Sequence, residues 1–158
     1  MAILTGTKHG DAANTLFGFY QDQAQELEES GHYFMAAIAL AFATESAILA
    51  YLLVEFGDEN GGELKIPASI NFAELIEAAN ELDVLSAPVN VASQIRDDAV
   101  PPMHIAQTVI DQVRKLRNLI HPGRALRQSY DPRTFTAAQL GEIKEIYESV
   151  LHSLMYNL

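Results

Sequence analysis

The sequence of 158 residues contains no cysteine, and only ten of its residues are lysine or arginine. The absence of cysteine excludes disulfide bonds, thiolate metal sites and a cysteine nucleophile, and it fits a reducing compartment. Twenty-one aspartate and glutamate residues give the chain a formal net charge of −11. This charge argues against nucleic-acid binding that is driven by a generally basic surface, but it leaves room for a local basic site.

The longest apolar run extends from Tyr33 to Phe56, and about 20 residues suffice to cross a membrane. Glu45 lies at its centre, however, and a carboxylate at mid-membrane costs roughly 2.5–3.5 kcal/mol. Membrane spans are commonly flanked by a basic cluster, and no such cluster flanks this run. The N-terminal residues also lack the features of a signal peptide. We therefore expect a buried helix in a cytoplasmic protein without a membrane segment.

Apolar residues recur at helical spacing along the chain, which predicts an all-α protein with one domain over residues 1–158. The first helix is predicted over Asp11 to Ser30, with Gly31 as its stop signal. The second extends from about His32 to Phe56 and is apolar on nearly all sides, so we expect it to be the central helix. Residues 58–62 are rich in turn-forming residues and predict a loop.

Two capping-box patterns predict further helix starts, Asn71 with Glu74 and Thr136 with Gln139. Pro122 disfavours helical geometry at the residue before it, so a helix should end at or just before His121. The segments predicted on these signals are helices from Phe72 to about Leu85, from Val89 to Ala99, from near Pro102 to His121 and from Thr136 to about Tyr156, and an irregular basic loop from His121 to Phe135.

Five of the ten basic residues fall within positions 114–127, around His121. Helical spacing places Arg117 and His121 one turn apart on the same face, with Arg114 near that face and Asn118 beside it. Imidazole can transfer protons near neutral pH, and arginine binds phosphate through two hydrogen bonds. These four residues are therefore candidates for catalysis on a phosphate.

Arg124 and Arg127 extend the positive charge beyond the helix and are candidates for substrate binding. Structural explanations remain open beside this interpretation. Cations near a helix C-terminus stabilise the helix dipole, and either Arg114 or Arg117 could pair inward with Glu45, which needs a partner if it is buried.

Tyr130 and Arg133 in the predicted loop could stack on a nucleic-acid base, although Tyr130 could equally be a packing residue. The five histidines are widely spread and none has the spacing of a metal site. We therefore expect neither a metal nor a cofactor.

Three segments resemble the HEPN superfamily of small helical domains found in prokaryotic toxins and abortive-infection proteins: GHYFMAAIALAFATESAILAYLL, NFAELIEAANELDVLS and VRKLRNLIHPGR. The third resembles the family signature, in which an arginine, often followed by a polar residue, precedes a histidine by several positions. His121 matches the histidine. Arg114 has the family spacing, whereas Arg117 with Asn118 matches the arginine-polar pair at a shorter spacing.

The resemblance implies an up-and-down bundle of four to five helices that forms a homodimer, with the two signature helices meeting at a cleft. In active members the arginine and histidine cleave RNA without a metal, and other members are inactive binding modules. Two functions are therefore open: an endoribonuclease of toxin or defence type, with RNA as substrate and an antitoxin or other protein as partner, or a non-catalytic dimeric interaction or regulatory module.

Overall fold

The computed structural model describes residues 2–57, 64–85 and 109–156, and these parts of the chain are mostly helical. The predicted all-α class is therefore confirmed. In chain order the elements are β1 (Ile3–Leu4), α1 (Gly6–Glu29), α2 (Tyr33–Phe56), β2 (Ile66–Pro67), α3 (Phe72–Glu81), a π-helical turn (Val109–Arg114), α4 (Lys115–Asn118), α5 (Pro122–Arg127), a 3₁₀ turn (Pro132–Thr134) and α6 (Ala137–Tyr156).

Three predicted features lie outside the described residues. They are the loop at residues 58–62, the short helix from Val89 to Ala99 and the start of the longer helix near Pro102. The end of that longer helix is described, as the π-helical turn and α4.

Helix α2 is the centre of the structure, as its nearly uniform apolar character predicts. Helices α1, α3, α4 and α6 all pack against it. Ala37, Ala41 and Ala43 are fully buried, and their small side chains allow neighbouring helices to approach closely. By length and composition alone α2 could also cross a membrane, but 72% of its most apolar window is buried inside the protein, as in a core helix.

Helix α1 begins at Gly6, ahead of the predicted start at Asp11. Gly10 and Ala13 in its first turns are buried. A Cβ atom on Gly10 would lie 2.6 Å from Cγ2 of Val54 on α2, so the two helices approach each other closely here. The contact face is made of small residues, and a prediction based on large apolar side chains does not detect such a face.

The turn between α1 and α2 is formed at the predicted stop, Gly31. This residue has a φ of 77°, a left-handed conformation that glycine adopts readily. The N–H of His32 donates to the carbonyl of Leu27 at 2.8 Å, and the N–H of Gly31 donates to the carbonyl of Glu28 at 3.0 Å. These two bonds form a Schellman motif, which ends α1 and directs the chain into α2.

Both predicted helix caps are present, and the second is a full capping box. Ahead of α3, the N–H of Glu74 donates to Oδ1 of Asn71 at 2.8 Å, and the side-chain NH₂ group of Asn71 donates to the Glu74 carboxylate. Ahead of α6, the N–H of Gln139 donates to Oγ1 of Thr136 at 3.2 Å, and the N–H of Thr136 donates to Oε1 of Gln139 at 2.9 Å. Both helices therefore begin where the sequence predicts.

Helix α3 ends at Glu81, earlier than its predicted end at Leu85. Asp83 adopts a left-handed φ of 62° and so turns the chain out of helical geometry. A second difference is the antiparallel pairing of β1 with β2, in which Leu4 lies opposite Ile66. Strands of two residues are too short to show the alternation by which a strand is predicted.

The segment from His121 to Phe135 is not the irregular loop that the sequence predicts, because it contains α5 and the 3₁₀ turn. Pro122 lies in the first turn of α5, where its fixed φ suits the helix and its missing N–H is not needed. Ser129 follows the helix with a φ of 52°. Glycine usually holds this position, so the end of α5 lacks its common sequence signal.

Candidate functional site

The guanidinium of Arg117 is held inside the fold by the carboxylate at the middle of α2. Nη2 of Arg117 lies 3.1 Å from Oε2 of Glu45, and the two side chains are only 26% and 21% exposed. The guanidinium carbon lies 5.2 Å from the ring centre of Phe42 and 5.8 Å from that of Phe72, which is within cation–π distance. We call these four residues the arginine clamp. It ties α4 to α2 and α3.

The sequence offers Arg114 and Arg117 as partners for Glu45, and in the structure Arg117 forms the ion pair. Arg114, the last residue of the π-helical turn, is half-buried, and its Nε has no hydrogen-bond partner in the described structure. The Thr44 hydroxyl beside Glu45 is satisfied within α2, because it donates to the carbonyl of Leu40 at 2.8 Å.

Burial governs the protonation of Glu45. Desolvation raises the pKa of its carboxyl above the ordinary value of 4.5, while the charge of Arg117 acts in the opposite direction. Because the pKa is higher in the folded state than in the unfolded state, protonation of this group favours folding. Its contribution to stability is fully present below the unfolded-state pKa and is lost as the pH rises through the folded-state pKa.

A comparison of the wild type with Glu45→Gln tests this direction, because glutamine has a similar shape and does not titrate. Relative to the variant, the wild type is expected to lose free energy of unfolding as the pH rises from about 4 towards neutrality. Urea unfolding of both proteins at each pH measures the difference. A difference that stays constant, or that grows in favour of the wild type with rising pH, contradicts the raised pKa.

The chain leaves α-helical geometry before it reaches His121. Helix α4 ends at Asn118, and the N–H groups of residues 119–121 each donate to the carbonyl three residues earlier, at 3.0–3.2 Å. These bonds are of the 3₁₀ type, so the last turn before His121 is tighter than an α-helical turn. The clamp directs Arg117 to the interior, while His121 is exposed. The alignment of Arg114, Arg117 and His121 on one stripe stays a prediction.

His121 is an exposed residue at the junction of α4 and α5. Its backbone is extended, with φ −80° and ψ 117°, as a following proline favours. Its carbonyl accepts hydrogen bonds from the N–H groups of Arg124 and Ala125, at 3.0 and 3.1 Å. Within the described residues the imidazole has no hydrogen bond or ion pair. The backbone is thus fixed while the side chain is open to a ligand.

The other cations of the basic segment differ in whether they are neutralised. Lys115, Arg124 and Arg127 are exposed, and none has an acidic partner among the described residues. Arg133 instead pairs with Asp131, at 2.9 Å between Nη2 and Oδ2. The first three are therefore available to an anion, whereas the charge of Arg133 is already balanced.

Tyr130 is a packing residue in this structure. Its ring centre lies 5.7 Å from that of Phe34 on α2, and Phe135 packs against the same ring at 5.9 Å. The two contacts anchor the chain between α5 and α6 to the core. Of the two roles that the sequence left open for Tyr130, the structure thus shows the structural one.

A groove of about 570 Å³ lies between α4, the end of α5 and the start of α6. Lys115 and Arg124 are its cations, and among the described residues no carboxylate lines it. Its amide side chains belong to Gln112, Asn118, Gln128 and Gln139. We call it the polar groove. On a protein with a net charge of −11, a groove lined by two cations and by no acid among the described residues is a locally positive surface.

The structure brings together only part of the predicted site. Asn118 and Arg124 line the polar groove, and the N–H of His121 donates to the carbonyl of Asn118 at 3.2 Å. Arg117 lies apart from them in the clamp. The sequence did not single out Gln112 or Gln128, and it singled out Gln139 only as part of a capping box, because no motif relates the three and only the tertiary fold brings them together.

Comparison of the chain with protein-family models, curated proteins and solved structures found no match. The resemblance to HEPN domains therefore depends on the three segments quoted above.

Proposed function

We propose that this chain is a HEPN-like helical bundle that acts on RNA through its basic segment, as a metal-independent endoribonuclease of toxin or defence type. The observation that carries the proposal is that exposed cations without an acidic partner among the described residues lie on both sides of His121 in the chain, and that the His121 side chain is exposed. The overall charge of −11 repels a polyanion elsewhere on the surface. RNA phosphates would therefore concentrate at this segment.

In the proposed reaction, His121 accepts the proton of a ribose 2′-hydroxyl while its oxygen attacks the adjacent phosphorus. A bond forms between the 2′-oxygen and phosphorus as the bond from phosphorus to the 5′-oxygen breaks. The leaving 5′-oxygen takes a proton from water, and the other product carries a 2′,3′-cyclic phosphate. Arg114, Arg124 or Arg127 would hold the phosphate oxygens and stabilise their developing charge, because the clamp occupies Arg117.

A cleavage assay with the purified full-length chain and labelled single-stranded RNA, in the presence of a metal chelator, tests the proposal. We expect fragments that end in a 2′,3′-cyclic phosphate. RNA that stays intact, under conditions in which a metal-independent control ribonuclease cuts it, contradicts the proposal.

A non-catalytic dimeric interaction module is the second candidate, and two observations favour it. The clamp gives Arg117 of the signature a structural role, and Leu126 on α5 is 80% exposed. Its neighbour Ala125 lines a largely apolar groove of about 970 Å³, which Phe34 and Pro122 also line. An exposed apolar side chain beside such a groove is typical of an interaction surface, and the partner would be a second copy of the chain or another protein, such as an antitoxin.

If α5 forms a dimer interface, Leu126→Ser should weaken self-association at least about tenfold, since buried apolar anchors dominate interface energies. Size-exclusion chromatography with light scattering, over a range of concentrations, measures the effect. Met155→Ser is the matched control, because Met155 is also highly exposed but lies on α6. A monomeric wild type, or equal effects of the two substitutions, contradicts dimerisation through α5.

A further inference from the structure

We propose that the polar groove binds a stretch of single-stranded RNA, with phosphates on Lys115 and Arg124 and base edges on the amide side chains. The identity of the ligand as RNA depends on the proposed function. The choice of this groove, and of a single strand over a duplex, depends on the residues that line it.

The charges of the groove suit a phosphate backbone. Lys115 lies on α4 and Arg124 on α5, so the two cations come from different helices and line a common groove. Both are exposed and lack acidic partners among the described residues. Contacts from such side chains to phosphates position a nucleic acid without selecting its sequence.

The amides of the groove favour a single strand over a duplex. Each amide both donates and accepts hydrogen bonds, as the edges of bases do. Gln139 already uses its Oε1 in the capping box, at 2.9 Å from the N–H of Thr136, so its NH₂ group is what remains for a ligand. Base edges are open to such side chains in unpaired RNA, whereas the deep major groove of an RNA helix hides them.

The walls and location of the groove support the same ligand. Leu116, Leu119 and Phe135 contribute apolar surface, which can contact the faces of bases. The volume of about 570 Å³ lies within the range of small-molecule sites, and a base with its sugar is of that class. His121 follows the groove residue Asn118 by three positions, and its N–H donates to the Asn118 carbonyl at 3.2 Å, so a strand held at Asn118 would pass close to His121.

Fluorescence anisotropy with labelled RNA tests the inference in the full-length chain carrying His121→Ala, so that the probe stays uncut. One probe is a single-stranded oligonucleotide and the other is a blunt duplex of the same sequence. The single strand should bind more tightly. Adding Lys115→Ala with Arg124→Ala should weaken its binding at least about tenfold. It should also make the slope of log K against the logarithm of the salt concentration shallower by about 1.4, for two lost phosphate contacts.

The matched control is the pair Lys8→Ala with Lys65→Ala, which removes the same charge from two exposed cations outside the groove. It should change the affinity less than about twofold and leave the salt dependence unaltered. Gln112→Ala with Gln128→Ala should reduce the preference for the single strand while the salt dependence stays the same.

The outcomes separate this inference from the proposed function. If the groove pair weakens binding no more than the control pair, or if the duplex binds as tightly as the single strand, the groove is not the site, even when the wild type cleaves RNA. Binding that depends on the groove, combined with intact RNA in the cleavage assay, overturns the ribonuclease and supports the groove. If the alanine pair loses helical circular dichroism, the pair Lys115→Gln with Arg124→Gln is used instead. The same loss of affinity for the single strand, at least about tenfold, is then expected.

Discussion

Replacement of Arg117 by alanine is expected to lower the free energy of unfolding by about 3 kcal/mol at neutral pH. The substitution leaves the mostly buried carboxylate of Glu45 without the partner that lies 3.1 Å away. It also removes the cation from the rings of Phe42 and Phe72. The loss should be smaller near pH 4, because an isolated buried carboxyl can take up a proton. Urea unfolding at both pH values measures the two effects.

Three further variants show whether the loss arises in the clamp. Arg124→Ala removes an exposed arginine and should change the free energy of unfolding by less than about 0.5 kcal/mol. Arg117→Lys keeps the charge but loses the planar group, so its cost should be intermediate. Arg117→Met combined with Glu45→Leu removes both charges and should recover most of the loss. An Arg117→Ala variant as stable as Arg124→Ala contradicts the clamp.

Replacement of His121 by alanine is expected to reduce the rate of RNA cleavage at least about 100-fold, the usual contribution of a general acid or base. Its imidazole is exposed and has no hydrogen bond or ion pair within the described residues, so the free energy of unfolding should change by less than about 0.5 kcal/mol. A lost rate with unchanged stability separates a chemical role from a structural one. Single-turnover cleavage of labelled RNA and urea unfolding are the two measurements.

The matched control for this variant is His152→Ala, because His152 is also exposed but lies on α6. It should cleave RNA at the wild-type rate. Cleavage that persists in His121→Ala, or that falls equally in the two variants, contradicts the role of His121.

The parts of the fold that depend on local signals could be predicted from the sequence. The bounds of α2 follow from its apolar run, and the turn at Gly31 follows from the glycine itself. The early start of α1 was missed because Gly10 and Ala13, which form its contact with α2, are small. Helix α5 was missed because Ser129, rather than glycine, holds the left-handed position after it.

The site could be predicted only in part, because its environment is tertiary. Local sequence does not distinguish Arg114 from Arg117 as the partner of Glu45, which lies on another helix. The tightening of the last turn before Pro122 is a small local change that regular helical spacing does not predict. The polar groove depends on Gln128 and other residues from separate elements, and no spacing relates them.

The central claim is that Arg117 is structural while the exposed part of the basic segment is functional. The most direct test is whether the double variant Arg117→Met with Glu45→Leu cleaves single-stranded RNA. Because the variant removes the clamp charges and leaves His121 and the polar groove in place, it should fold and cleave at the wild-type rate, within about threefold. A double variant that shows wild-type helical content and cooperative unfolding, yet has lost cleavage as fully as His121→Ala, contradicts this division of roles.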